Sequence, residues 1–180
     1  MFLKSHFLFI FFRENLNEAY DRGIVIIRNP LDAFIAEMSR VISGSNVEQG
    51  TYDDWAAADI EDLYGNLLLP YWTKFHQKII DKFKHELYVV EYKALKSNPI
   101  EEISKLVNFL GLPMSEKIKK CLSEDINGTY KRSKKVDMKK WAIENGLLNP
   151  EHETQSKPLY KKMVKKLKKR VQKWKDSSKK

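Results

Sequence analysis

Residues 23–27, Gly-Ile-Val-Ile-Ile, run directly into Arg28-Asn29-Pro30, and an apolar period of three and four begins only after them. This junction constrains the fold more than any other stretch. Four consecutive β-branched residues favour an extended strand. A continuous apolar run of this length has the pattern of a strand buried on both faces of a parallel sheet. Asn29 suits a helix N-cap and Pro30 the first helical position. Leu31, Phe34, Ile35 and Met38 then fall at i, i+3, i+4 and i+7, one face of a helix. A central strand therefore ends on an arginine just where a helix begins.

The same grammar returns later. Residues 86–92, Glu-Leu-Tyr-Val-Val-Glu-Tyr, form a second strand, and Asn98-Pro99 repeats the cap-then-proline start with Glu101 and Glu102 suiting the helix dipole. Ile100, Ile103, Leu106, Val107 and Leu110 make that helix's stripe, and Gly111 stops it. Between the strands, residues 43–54 read as a loop. Residues 55–83 read as two helices, broken near Tyr64-Gly65-Asn66 or at Pro70. Strand, helices, strand, helix is the order of a three-layer α/β domain. The stripes place the elements and carry no chemistry.

The formal charge of +9 over 180 residues suggests a nucleic-acid binder, but it is unevenly spread. Residues 157–180 hold twelve Lys or Arg and one Asp, a net +11, which leaves −2 for the rest. The body is near neutral, and any basic site within it is local. We divide the chain at that point, 1–156 as the domain and 157–180 as a basic C-terminal segment. There Tyr160, Met163, Val164, Leu167, Val171 and Trp174 recur at three and four amid lysines. That pattern fits a helix docked on the domain, or one lying on an anionic membrane or nucleic acid.

Cys121 is the sole cysteine and sits in an amphipathic stretch, where packing is the expectation. His6, His76, His85 and His152 show no metal-ligand spacing, so no metal is expected. The apolar run at 7–12 is too short for a signal h-region or a membrane span. Asn127-Gly128-Thr129 is a sequon, relevant only in the secretory pathway. Trp55 and Trp72 read as core residues.

Arg28 stands where ligands bind in open parallel sheets, outside the carboxyl end of a strand. The following helix would offer free backbone N–H groups and the positive end of its dipole. Arginine beside a helix N-terminus can bind phosphate or sulfate through a bidentate fork. The alternative is an Arg28–Asp32 pair that closes the turn.

Residues 24–40, with their strand, Arg-Asn-Pro-x-Asp and helix, resemble the 3′-phosphate-binding segment of sulfotransferases that use 3′-phosphoadenylyl sulfate. Within that family the segment is most similar to the WSC-domain-containing sialate O-sulfotransferases. In the same order, residues 86–113 resemble the family's strand-Tyr-Glu-x-Leu and "FLG" helix, 127–135 its basic late loop, and 2–6 its Lys-Thr-His strand. The resemblance implies a P-loop-type parallel sheet with flanking helices and sulfuryl transfer to a hydroxyl acceptor, a glycan. It implies Arg28, Ser39 and Arg40 on the 3′-phosphate, Tyr92 at the adenine, and Lys131 and Arg132 closing over the phosphate. It also implies His6 as general base with Lys4 beside the sulfuryl group. Such groups suit the reaction, which needs cations on a spread negative charge and a base at the hydroxyl. Full-length relatives would work in the Golgi.

Some positions depart from that pattern. Ala36 stands where many relatives carry serine, with Ser39 the nearest substitute, and Lys93 replaces the acidic residue after Tyr92. No Gly-rich loop for the 5′-phosphosulfate precedes Lys4. The expectation is therefore a chain lacking the first strand and its loop, either a fragment of an enzyme or a non-catalytic relative. A binding module acting through residues 157–180 is the expectation from a different class.

Overall fold

The computed structural model describes residues 16–44, 50–124 and 137–178. Lys4, His6, Asn127, Lys131 and Arg132 lie outside them. After a short helix α1 (Leu16–Ala19) come strand β1 (Arg22–Ile27) and helix α2 (Pro30–Ser43). Helices α3 (Tyr52–Ala57) and α4 (Ile60–Asp62) follow, then a π-helical segment (Leu63–Leu68) that runs straight into α5 (Leu69–Lys82). Strand β2 (Glu86–Glu91) leads to α6 (Tyr92–Ser97), α7 (Pro99–Phe109) and α8 (Glu116–Glu124). The described chain closes with α9 (Met138–Glu144) and the long α10 (Glu151–Ser177).

The strands pair in parallel, Arg22 opposite Glu86 through Ile27 opposite Glu91. Because successive side chains alternate faces, Gly23, Val25 and Ile27 share one face with Leu87, Val89 and Glu91. That face meets α5 and α10: Val25, Ile27 and Leu87 pack with Trp72, Ile79, Phe83, Met163, Val164 and Leu167 in one core. Gly23 begins the run because Phe83 occupies its side-chain space; a Cβ there would lie 2.8 Å from the Phe83 ring. On the opposite face, Tyr88 stacks on Phe109 of α7 at 5.2 Å, and Arg22 bonds the Phe109 carbonyl and pairs with Glu86. Helices thus lie on both sides of a two-stranded parallel sheet, a helix-rich α/β arrangement.

A second core joins α2, α3, the π-helical segment and α9. Leu31, Phe34, Ile35 and Met38, the stripe read from the sequence, pack there with Trp55, Ile60, Tyr64 and Leu148. Asn29 caps α2 as its sequence suggests, and Gly44 ends it at φ 64, a left-handed turn that glycine enters without penalty.

Several expectations need correction. β1 is buried on one face only: Ile24 is 39% and Ile26 56% exposed, because among the described residues α7 lies mainly over β2 and reaches β1 at Arg22. The helix break in residues 55–83 falls at Ala58-Asp59, where Asp59 takes φ 42, and not at Gly65 or Pro70. The π-helical segment carries the backbone past Gly65, and Pro70 sits in the first turn of α5 without ending the run. Asn98 makes no side-chain cap bond to α7, and of that helix's expected stripe Val107 alone is buried. Cys121 is exposed rather than packed. The boundary drawn at 156 falls inside α10, which begins at Glu151 and puts Met163, Val164 and Leu167 into the sheet's core.

Candidate functional site

Ile27 and Glu91 are the last pair of the sheet, so Arg28 and Tyr92 leave it side by side. The Arg28 guanidinium lies 4.6 Å over the Tyr92 ring. Stacking of this kind engages the cation's flat face through the ring's negative quadrupole. The N–H donors lie in the guanidinium plane, so the stack holds the group while leaving its edge to bind. Arg28 makes no ion pair with a described carboxylate. Asp32, the partner the turn-closing alternative needs, instead meets Lys139 at 3.3 Å, and Lys139 also meets Glu153 at 3.3 Å.

The helix behind Arg28 contributes less than its sequence suggests. Asn29 Oδ1 accepts from the Leu31 and Asp32 amides at 3.0 and 3.3 Å, and the Ala33 amide bonds the Asn29 carbonyl. Pro30 has no N–H. The first-turn amides are therefore satisfied internally, and the expected free donors are absent. What α2 offers an anion is its dipole and the arginine it helps fix. Asn29 Nδ2 in turn donates to Ser156 Oγ, which donates to the Glu153 carbonyl. That chain ties the start of α10 to the strand end.

The other expected phosphate contacts on α2 lie elsewhere. Ser39 is fully buried and its hydroxyl donates to the Ile35 carbonyl at 2.9 Å. Arg40 is exposed and forms a bidentate pair with Glu37, Nε to Oε2 at 3.0 Å. It stands roughly 15 Å along the helix from Pro30 at 1.5 Å per residue. The structure brings together Arg28 and Tyr92, and it does not add Ser39 or Arg40 to them.

Beside this pair, Glu91 accepts from Tyr160 at 3.0 Å and from Lys168 at 2.6 Å, both on α10. The Lys168 hydrogen bond holds its carboxyl below the usual range, against the opposing effect of burial. These partners are far apart in sequence, and no local spacing signals them.

Two histidines without an expected role have definite surroundings. His76 is buried between Trp72 and Phe75; its Nδ1–H donates to the Trp72 carbonyl at 2.7 Å and its Nε2 has no partner. Burial lowers its pKa to about 4, only partly offset by that bond. His152 donates from Nε2 to Glu61 at 2.7 Å, with its ring edge-on to Tyr64 at 4.7 Å. The Tyr64 hydroxyl is buried without a partner, and burial, with Asp32 nearby, pushes its pKa up to about 12. Among the described residues no three His, Cys, Asp or Glu converge on a metal site, and no helix is long and apolar enough to cross a membrane.

The family model described as the sulfotransferase domain matches residues 1–178. No solved structure matches the chain.

Proposed function

The chain belongs to the sulfotransferase domain family, and from that premise we propose that it binds 3′-phosphoadenylyl sulfate at the Arg28–Tyr92 corner and passes the sulfuryl group to a glycan hydroxyl. The observation that carries the reading is the stacked pair at the carboxyl ends of β1 and β2, whose guanidinium has no carboxylate partner among the described residues. A fixed cation with its donor edge open suits a phosphate dianion. An aromatic ring one strand away suits an adenine, which stacks or packs edge-on.

In the proposed reaction the acceptor oxygen bonds to sulfur as the bond from sulfur to the bridging phosphate oxygen breaks. The products are a sulfate ester and adenosine 3′,5′-bisphosphate, and the acceptor proton passes to a base. The resemblance assigns that base to His6 and a cationic contact with the sulfuryl oxygens to Lys4. It likewise assigns Ser39, Arg40, Lys131 and Arg132 to the 3′-phosphate. Of the α2 residues, Ser39 would have to leave its bond to Ile35 to reach a ligand, whereas Arg40 would give up only an exposed pair, worth little. A Golgi setting and a place among the sialate O-sulfotransferases belong to the same proposal.

The test is titration of adenosine 3′,5′-bisphosphate into the full chain. Arg28→Ala should weaken binding about 10- to 150-fold, the worth of charged hydrogen bonds at roughly 1.5–3 kcal/mol. Arg28→Lys should recover little, because a point charge does not replace a stacked planar fork. Unchanged affinity in Arg28→Ala would remove this corner from the donor site.

A further inference from the structure

From the cleft between α10 and the end of β2, we infer that the lysine face of α10 is a docking surface for an anionic polysaccharide, the chain that carries the acceptor hydroxyl. The assignment to the acceptor rests on the sulfotransfer reading above. The cleft measures about 530 Å³ and is lined by Glu91, Tyr160, Lys161, Lys165, Lys168 and Lys169 among others. Lys161, Lys165 and Lys169 are exposed and make no ion pair or hydrogen bond with a described residue. They recur along one helix face over about 12 Å. Glu91, the one carboxylate in the lining, is neutralised by Lys168 and hydrogen-bonded by Tyr160. The lining therefore presents uncompensated positive charge to whatever enters.

Two observations favour a chain over a membrane. An amphipathic helix binds a bilayer by burying its apolar face, and here Met163, Val164 and Leu167 are already inside the protein core. The free lysines also border an open groove beside Glu91, along which a strand of sugars can lie. Position adds a third argument. Glu91 precedes Tyr92 and pairs with Ile27, the residue before Arg28, so the cleft adjoins the corner where the donor is proposed to sit. A polyanion lying along α10 would lead one of its sugars toward that corner.

The probe is a heparin octasaccharide, titrated into the full chain at about 0.15 M salt, where exposed charges further apart than about 8 Å are screened. The variant Lys161→Glu/Lys165→Glu/Lys169→Glu should bind it at least about tenfold more weakly, with a flatter salt dependence and an unchanged thermal midpoint. A control of equal charge change away from the cleft, Lys74→Glu/Lys82→Glu/Lys84→Glu, should bind like the parent. Equal binding by the cleft variant, or an equal loss in the control, overturns the inference. So does lysine-dependent binding to phosphatidylserine vesicles or to RNA without binding to the octasaccharide. Adenosine 3′,5′-bisphosphate affinity should be the same in the parent and the cleft variant. Failure of the donor-site reading shows separately, as bisphosphate affinity unmoved by Arg28→Ala.

Discussion

His76 is 3% exposed and sits against two aromatic rings with one nitrogen unbonded, so its charged form is the one the fold opposes. Its pKa falls from 6.5 to about 4 on folding. The unfolded chain therefore binds the proton more readily between those values. The neutral ring's contribution to stability is complete above about pH 6.5 and is lost as pH drops toward 4. At 1.36 kcal/mol per unit, the loss across that window is of order 3 kcal/mol. Urea titrations at pH 7.5 and 4.5 should show it, and a His76→Gln variant should show a clearly smaller drop. Parallel pH dependence in the two proteins would mean that other groups set it. Arg28 is the contrasting case, a charge the fold fixes by stacking and leaves without an opposing carboxylate among the described residues.

At the scale of elements, α10, the end of α5 and the sheet depend on one another. Leu167 is fully buried against the sheet; Leu167→Ala should cost about 2–5 kcal/mol, measurable by chemical denaturation. Lys162→Ala, on the exposed side, should change stability by less than about 0.5 kcal/mol. Similar costs at both positions would mean that α10 does not dock through this stripe. Gly23 makes the same argument from the strand. An added methyl would meet Phe83 at 2.8 Å, so Gly23→Ala should destabilise by about 1–3 kcal/mol, despite alanine's usual advantage over glycine within an element. A neutral or stabilising result would show that Phe83 moves aside readily.

For the whole molecule, the uneven charge and the shared core lead to one expectation. Residues 157–180 carry a net +11 against −2 for the rest of the chain, and the same segment supplies Met163, Val164 and Leu167 to the core around Val25, Ile27 and Leu87. Ending the chain at residue 156 should therefore abolish cooperative thermal unfolding and expose apolar surface to a hydrophobic dye. Charge reversal at Lys161, Lys165 and Lys169 should do neither. A cooperatively folding truncated chain would show that α10 is an appendage. Deletion cannot separate a binding role of the segment from its packing role, and substitution on the exposed face can.

The sequence by itself determined the local events: the strand entering Arg28, the Asn29 cap, the α2 stripe, the second strand and the helical period of α10. Each is set by neighbours within a few residues, through side-chain alternation, capping and helical spacing, so each could be read in order along the chain. The nearness of Arg28 and Tyr92 was legible only through resemblance to a family, since 64 positions separate them. Tertiary structure alone decided that Asp32 belongs to Lys139 and that Ile24 and Ile26 stay exposed. It also decided that the stripe of α10 faces the sheet and leaves its lysines beside Glu91. Those outcomes depend on which distant surfaces meet. A hydrophobic stripe states only that some apolar face must be covered, and a lysine states only a charge; packing selects what lies against each.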